Sequence, residues 1–388
     1  MLNPVELMDA ARASTGLEDF GEDSFLDGLE RLCHSLNTEA TLNDVGRMAL
    51  PQLLGKLLAN RLKIEDWYAR HPEIDDEQIA APLIGLGLPR TGSTALAALL
   101  AEDPNARSLL VWMAGEPAPP PATVEGPDPR IAAVEFSMAM QHELAPRLAQ
   151  LVPMSPDGPE ECQDLMALTF KSHYFLAFAH IPSYADWFLT ADLTSTYEYE
   201  KRALKLLQWK APRKPWRLKC PTHLLFLPAL NRAFPDARFV WTHRDPTDVM
   251  VSVSDVFAEV QGMFADDMDR PYLGALNVEH WTTGMRRALE FRADGNDDRF
   301  FDLDFHAVQK DPINEVRRLY EWLGEPVTAE FEAGMARWWK EMAENREHNV
   351  HPPAEEFGLD LDAIRPLFAD YVASAEKWCA PLGGRADR

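Results

Sequence analysis

Residues 87–94 read Gly-Leu-Pro-Arg-Thr-Gly-Ser-Thr, the spacing of a phosphate loop G-x-x-x-x-G-K-[ST] with Ser93 standing where the lysine belongs. Such a loop still turns backbone N–H groups and a helix N-terminus toward an anion. Its cation has moved three places back, to Arg90. A kinase or ATPase also needs an Asp after an apolar strand to hold Mg²⁺, and VWMAGE and VWTHRD supply no clean version. A plain tight turn from strand to helix would use Gly and Thr as well. A second string, FVWTHRDPTDVMVSVSDVF (239–257), reads as strand, turn and helix, with Pro246 in the helix's first turn. Arg244 and Ser252 lie eight residues apart and flank that opening. Taken alone, Arg-Asp-Pro is also an ordinary capping turn. Segment 209–220, WKAPRKPWRLKC, carries Lys210, Arg213, Lys214, Arg217 and Lys219 and no acid. Lys219 falls inside a strand pattern, which predicts that its ammonium faces a site; Lys210, Arg213 and Lys214 read as a solvated basic loop.

These loops need elements to hold them. APLIGLGL, closed by Pro89, reads as a buried strand, and TALAALLAEDP as the helix that follows. SLLVWMA is expected to be a second strand, followed by the proline-rich loop EPAPPPATVEGPDPR. WRLKCP, ARFVWTH and RFFDLDF are expected strands, with helices across HLLFLPALNRAF and from Pro312 through INEVRRLYEWLG. Strands alternating with helices predict a three-layer α/β fold around one mostly parallel sheet. Ligands in such folds bind beyond the carboxyl ends of the strands, where both loops fall. Residues 1–80 read as a helical leader packing on the core, opened by Asn3 as cap and Pro4 at the first helical position. Residues 81–388 form the α/β domain, with a helical insertion over about 131–208 and a helical C-terminal region.

Composition narrows the partners. Of 388 residues, 38 are Lys or Arg and 62 are Asp or Glu, a net charge of −24, which disfavours nucleic acid and anionic membrane surfaces. No apolar run has the length of a transmembrane helix, and no export signal is evident. Cys33, Cys162, Cys220 and Cys379 are scattered without a C-x-x-C pair, which argues against a zinc site or disulfide frame and suggests a reducing cytoplasm.

Together, P-R-T-G-S-T (89–94) and R-D-P-T-D-x-x-x-S (244–252) resemble the PAPS-dependent sulfotransferases, as do W-x-L-K-x-P-x-H-L, F-P-D-A-R-F-V and D-P-x-x-x-V-x-x-L-Y-x-x-L-G. The resemblance covers about residues 81–360 and is to the broad bacterial branch of that family. It implies that PAPS, 3′-phosphoadenosine 5′-phosphosulfate, binds with its 5′ end on Arg90, Thr91, Gly92, Ser93 and Thr94 and its 3′-phosphate on Arg244 and Ser252, leaving PAP as product. It implies catalytic roles for Arg90, Lys219 and His223, and no metal. His223 resembles the family's K-T-H histidine at a spacing two residues longer. Glu116 is the alternative base, since several branches place a glutamate after the second strand. Glu160 and Glu161 read more readily as helix caps. Arg346, His348 and His351 stand where the family often has a basic run.

The implied partner is a small alcohol or phenol, apolar or amphiphilic if part of the Met/aromatic stripe over 131–190 and 255–285 lines its pocket. A homo-oligomer is compatible with the sequence. Two other readings stay open, a P-loop kinase or hydrolase and a non-catalytic nucleotide-binding protein of the same fold.

Overall fold

The central strand β1 (Leu83–Gly87) is flanked on one side by β3 (Trp216–Lys219) and on the other by β4 (Arg238–His243). A computed structural model of the chain, which describes residues 1–345 and 350–379, shows one five-stranded sheet in the order β2-β3-β1-β4-β5. The edges are β2 (Arg107–Ser108) and β5 (Phe300–Asp304), and every pairing is parallel.

The chain divides into two compact units. The sheet unit comprises Ala80–Leu109, Lys214–Asp255 and Arg270–Arg388. One face of its sheet presents Leu83, Val240 and Leu303 to the helices Ser93–Ala101, Pro312–Leu323 and Ala329–Asn345, through Leu96, Leu99, Leu100, Val316, Leu319 and Met335. On the other face Phe239 packs against Phe291 of the helix Arg270–Ala293. Trp241 packs on that face against Tyr371 and Trp378 of the helix Ala369–Trp378. Burial on both faces explains why these strands read as near-continuous apolar runs and not as alternating ones.

The helical unit comprises Met1–Ile79, Leu110–Arg213 and Val256–Asp269. Its helices include Pro4–Thr15, capped by Asn3, then Leu26–Thr38, Asp44–Arg70, Pro129–Leu144 and Thr194–Gln208. Arg61 is fully buried in it and donates to the carbonyls of Phe20, Glu22 and Leu168, with its guanidinium over the rings of Phe25 and Tyr199. Carbonyl acceptors on three sides let this cation sit in the interior without losing hydrogen bonds. Among the described residues no helix is long and apolar enough to cross a membrane.

One expected element differs. SLLVWMA does not continue as a strand: β2 stops at Ser108, and Val111–Gly115 is helical. The Val111 N–H donates to the Gly158 carbonyl and the Ala114 N–H to that of Leu110, so the backbone of this run finds its partners away from the sheet. A short buried apolar run has no periodicity to separate strand from helix.

At the ends of β1 and β4, Gly87 lies opposite Thr242. Gly87 has φ +144°, and a Cβ there would stand 2.5 Å from Thr242 Oγ1 and 2.7 Å from the Thr242 carbonyl oxygen. Gly87→Ala should therefore destabilise the protein by about 2 kcal/mol or more, read as a lower urea midpoint. An unchanged midpoint would contradict this packing.

Candidate active site

β1 delivers the first loop. After Gly87 the chain turns through Leu88, Pro89 and Arg90, and the helix Ser93–Ala101 begins behind Gly92. Arg90 and Gly92 both have positive φ, +65° and +85°. A non-glycine residue in this region is held there by its surroundings. The restraint is visible, because Arg244 Nη1 donates to the Arg90 carbonyl at 2.9 Å. Thr91, buried, donates its hydroxyl to the Leu88 carbonyl at 2.7 Å and meets Thr242 Oγ1 at 2.6 Å. Its side chain is thus spent within the loop, and what it offers a ligand is its backbone N–H. A Cβ on Gly92 would touch the Phe305 ring, so glycine opens that side of the loop. No side chain caps the helix Ser93–Ala101. Its first-turn N–H groups, those of Ser93 and Thr94 among them, have no intrahelical acceptor and carry the positive end of the helix dipole, a combination suited to an anion.

β4 delivers the second loop beside it. Arg244 follows the strand, lies over the Phe305 ring at 4.6 Å, and leads into the helix Pro246–Gly262. Ser252, two turns into that helix and buried, accepts a hydrogen bond from Arg90 Nε at 3.1 Å. The structure thus brings together Arg90, Thr91, Arg244 and Ser252, which lie up to 162 positions apart in the chain. Asp245 receives the Thr247 backbone N–H and hydroxyl and Arg365 Nη1. Burial alone would raise its pKa; the bonds from Thr247 and Arg365 outweigh it and hold the carboxyl below its ordinary value.

β3 contributes Lys219 and His223. Lys219 is buried at the strand's carboxyl end, opposite Gly85. With Ser93 and Thr242 it lines a cavity of about 10 Å³ between strand ends and loop helix, room for about one water. His223 lies in the turn Pro221–Leu225 just beyond and is 0% exposed. Burial pulls its pKa down to about 3, so the ring is neutral at physiological pH. Arg217, on the same strand, lines that cavity too, and its guanidinium bonds Glu325 and the Tyr320 hydroxyl. The basic string 209–220 therefore does not act as a block: Arg217 and Lys219 are buried, Lys214 is half-buried, and Lys210 and Arg213 are exposed.

Glu116 belongs to the helical unit. It ends the helix Val111–Gly115, its carboxylate pairs with Lys63 Nζ at 2.5 Å, and its carbonyl accepts from Arg130 at 2.7 Å. Glu160 Oε1 accepts the Glu161 N–H at 2.8 Å, and neither carboxylate caps the helix Gln163–Ala167 that follows, which has no side-chain cap. Of the three C-terminal basic residues, Arg346 and His348 lie outside the described residues. His351 Nδ1 meets the buried Asp255 at 2.7 Å, one helical turn from Ser252. The Met/aromatic stripe is mixed: Phe170, Phe175, Tyr184, Phe257 and Trp281 are buried, Tyr174, Phe178, Trp187 and Phe264 are half-buried, and Met140 is exposed.

Sequence reasoning missed Thr242, His243, Asp302, Phe305, Arg365 and Tyr371. A signal existed for two of them: Thr242 and His243 are polar residues at the end of an otherwise apolar strand. His243 Nε2 bonds Asp302 Oδ1 at 2.8 Å, and Arg292 grips both oxygens of Asp302.

Residues 82–329 match the sequence profile of the sulfotransferase family. The crystal structure of sulfotransferase STF9 from Mycobacterium avium superposes with a TM-score of 0.87 at 33% identity, over 96% of this chain and 97% of that one. Sulfotransferase STF1 from Mycobacterium tuberculosis H37Rv gives a TM-score of 0.84 at 29% identity, over 95% of this chain and 99% of that one. In sequence, the omega-hydroxy-beta-dihydromenaquinone-9 sulfotransferase Stf3 of Mycobacterium bovis is 26% identical over 184 residues, 45% of this chain and 46% of that protein. The chain thus spans about half the length of the curated relatives it matches.

Buried neutral histidines give the sheet unit an acid-sensitive stability. Burial lowers His223 to about 3 and His280, aided by Arg287, to about 4. Below pH 6.5 the unfolded chain takes up protons that these rings refuse in the folded state. Stability should therefore fall from pH 6.5 toward pH 4, by about 1 kcal/mol per pH unit for each ring. Urea midpoints measured across this range test it, and a flat profile between pH 7 and pH 5 would refute it.

Proposed function

The chain belongs to the sulfotransferase family, and on that premise we propose that it transfers the sulfuryl group of PAPS to a hydroxyl of a small apolar or amphiphilic acceptor. The observation that carries this reading is the convergence of Arg90, the uncapped N-terminus of Ser93–Ala101, Arg244 and Ser252 at the ends of two adjacent parallel strands. Two cations and a helix N-terminus match a nucleotide that carries phosphate at both its 5′ and 3′ positions. Bound there, PAPS supplies an activated sulfuryl group.

The rest is the work of this chain's residues. Backbone N–H groups over 91–94 cradle the 5′-phosphate, with the Ser93 and Thr94 hydroxyls beside them. Arg90 lies across the loop and offsets the charge that grows on the leaving oxygen, the type of fixed electrostatic help that is worth most in a partly dry site. Arg244 and Ser252 hold the 3′-phosphate and so fix the direction of the nucleotide. Lys219 adds a third cation on the β3 side of the same sheet edge. A fork of guanidinium donors and backbone dipoles neutralises a developing anion without a metal, and no metal is assigned a role.

Proton removal from the acceptor is proposed for His223, with Glu116 as the alternative. The neutral ring can accept a proton, but its low pKa means it holds that proton only briefly. Sealed at 0% exposure, it must be uncovered when the acceptor is bound.

The acceptor's class is supported by the relative named for a hydroxylated dihydromenaquinone, an alcohol on an apolar body. The net charge of −24 disfavours a polyanionic sugar. A cytoplasmic setting suits four cysteines that form no disulfide.

Thermal shifts with PAP, with AMP and with ATP plus Mg²⁺ test the nucleotide. PAP at a hundredfold excess over its Kd should stabilise the protein by about 2.7 kcal/mol, and stabilisation by ATP–Mg²⁺ alone would turn the reading into a P-loop kinase or hydrolase. Turnover should survive EDTA and fall about a hundredfold or more in Arg90→Ala; PAP binding with turnover untouched by Arg90→Ala would refute the catalytic assignment. His223→Ala should abolish turnover while PAP affinity stays within a few-fold. Retained turnover there would move the base to Glu116, to be checked with Glu116→Gln.

A further inference from the structure

The turn that carries Arg244 is fastened from behind by the C-terminal part of the chain. Tyr371, on the helix Ala369–Trp378, is buried and places its hydroxyl oxygen 3.4 Å from the Arg244 backbone N–H and 3.4 Å from the Arg244 carbonyl. The same hydroxyl lies 3.3 Å from His243 Nδ1. One residue further on, Arg365 reaches Asp245 Oδ2 at 3.0 Å with Nη1 and the Thr247 hydroxyl at 3.1 Å with Nη2. Both residues lie beyond residue 329, where the family match ends.

The direction of the hydrogen bonds follows from charge. Asp302 is an anion, since Arg292 grips both its oxygens at 2.7 and 2.8 Å. It can therefore only accept, and His243 must donate to it from Nε2 at 2.8 Å. Burial, partly offset by Asp302, lowers the His243 pKa and keeps the ring neutral. A neutral ring that donates from Nε2 has an acceptor at Nδ1, so the Tyr371 O–H points to it. That leaves the oxygen lone pairs of Tyr371 for the Arg244 N–H. The relay runs Arg244 N–H to Tyr371, Tyr371 O–H to His243, His243 N–H to Asp302, with Arg292 as counter-ion. Each member is oriented by the next, and the end of the relay is the backbone atom adjoining the guanidinium-bearing Cα.

We infer that Tyr371 and Arg365 are positioning residues for the 3′-phosphate, setting the backbone of the Arg244–Asp245 turn from which the guanidinium reaches its ligand. This rests on the reading of Arg244 as the 3′-phosphate ligand. Neither residue is given contact with the nucleotide; each acts through the turn.

Calorimetric affinities for PAP and for AMP, measured on the full chain and its variants, test the inference. AMP keeps the adenine and the 5′-phosphate and lacks the 3′-phosphate, so the ratio of the two affinities isolates the Arg244 end. Tyr371→Phe keeps the packed ring and removes both hydrogen-bonding functions. It should weaken PAP about five- to tenfold while AMP stays within about twofold. Arg365→Gln, a change at a half-exposed side chain, should move the ratio in the same direction by about two- to threefold, and it carries the test if Tyr371→Phe does not fold. Equal losses for both ligands would mean a general structural role and overturn the inference, as would an unchanged ratio in the folded variants. If the wild type binds PAP no better than AMP, the assignment of Arg244 fails first and this inference falls with it. A wild-type preference that survives Tyr371→Phe and Arg365→Gln but not Arg244→Ala sinks only the inference.

Discussion

The hydrogen bond from Arg244 to the carbonyl of Arg90 is the constraint on which the rest of the site depends. It joins two turns from separate βα units and holds Arg90 in a left-handed conformation that a residue with a Cβ does not keep unaided. The bond exists because β1 and β4 pair in parallel register and leave Gly87 against Thr242 at their ends. With the strands in that register, the loop cation and the strand-end cation come out side by side. A register slip of one residue would reverse which face each side chain meets and separate them.

Placing cations so close to one another needs compensation. Arg90 is bonded to Ser252, Arg244 lies over the Phe305 ring, and Asp245 is bound by Arg365. The guanidinium groups are thus held in place by the protein's own contacts, so the proposed binding of an anion would require little further ordering. The chain's strongly acidic balance does not oppose an anionic ligand here, because local charge and oriented N–H groups dominate within a Debye length of about 8 Å. The global charge acts at longer range, where it disfavours polyanionic surfaces and leaves small anions to be attracted locally.

Polar groups behind the site are handled by pairing and not by exposure. Asp302 is shared between His243 and Arg292, and Tyr371 closes the chain of hydrogen bonds at the Arg244 backbone. In the helical unit Arg61 is held by carbonyls and rings. Such buried networks are costly when incomplete and specific when complete, and they define one arrangement of the backbone around them. His223 is the contrasting case, a ring kept neutral by burial with a pKa near 3.

The amino-acid sequence by itself determined the two turns proposed to bind anions, the alternation of strands and helices, and the family. These are local properties: the spacing of Gly87, Arg90 and Gly92, the interval from Arg244 to Ser252, and apolar runs broken by Pro and Gly act within one loop or one element. The tertiary structure decided what depends on distant pairing. It took SLLVWMA out of the sheet after Ser108, because a short buried run has no period of its own and its N–H groups bond Gly158 and Leu110. It split the basic string 209–220: Arg217 and Lys219 are buried and line the cavity beside Ser93, with Arg217 also bonded to Glu325 and Tyr320, while Lys210 and Arg213 stay exposed. It spent the Thr91 hydroxyl inside the loop and engaged Glu116 with Lys63. It also brought Tyr371 and Arg365 onto the turn at Arg244, more than a hundred residues away in the chain. No local pattern encodes that contact, since it is set only when the last helix packs on Trp241 of the finished sheet.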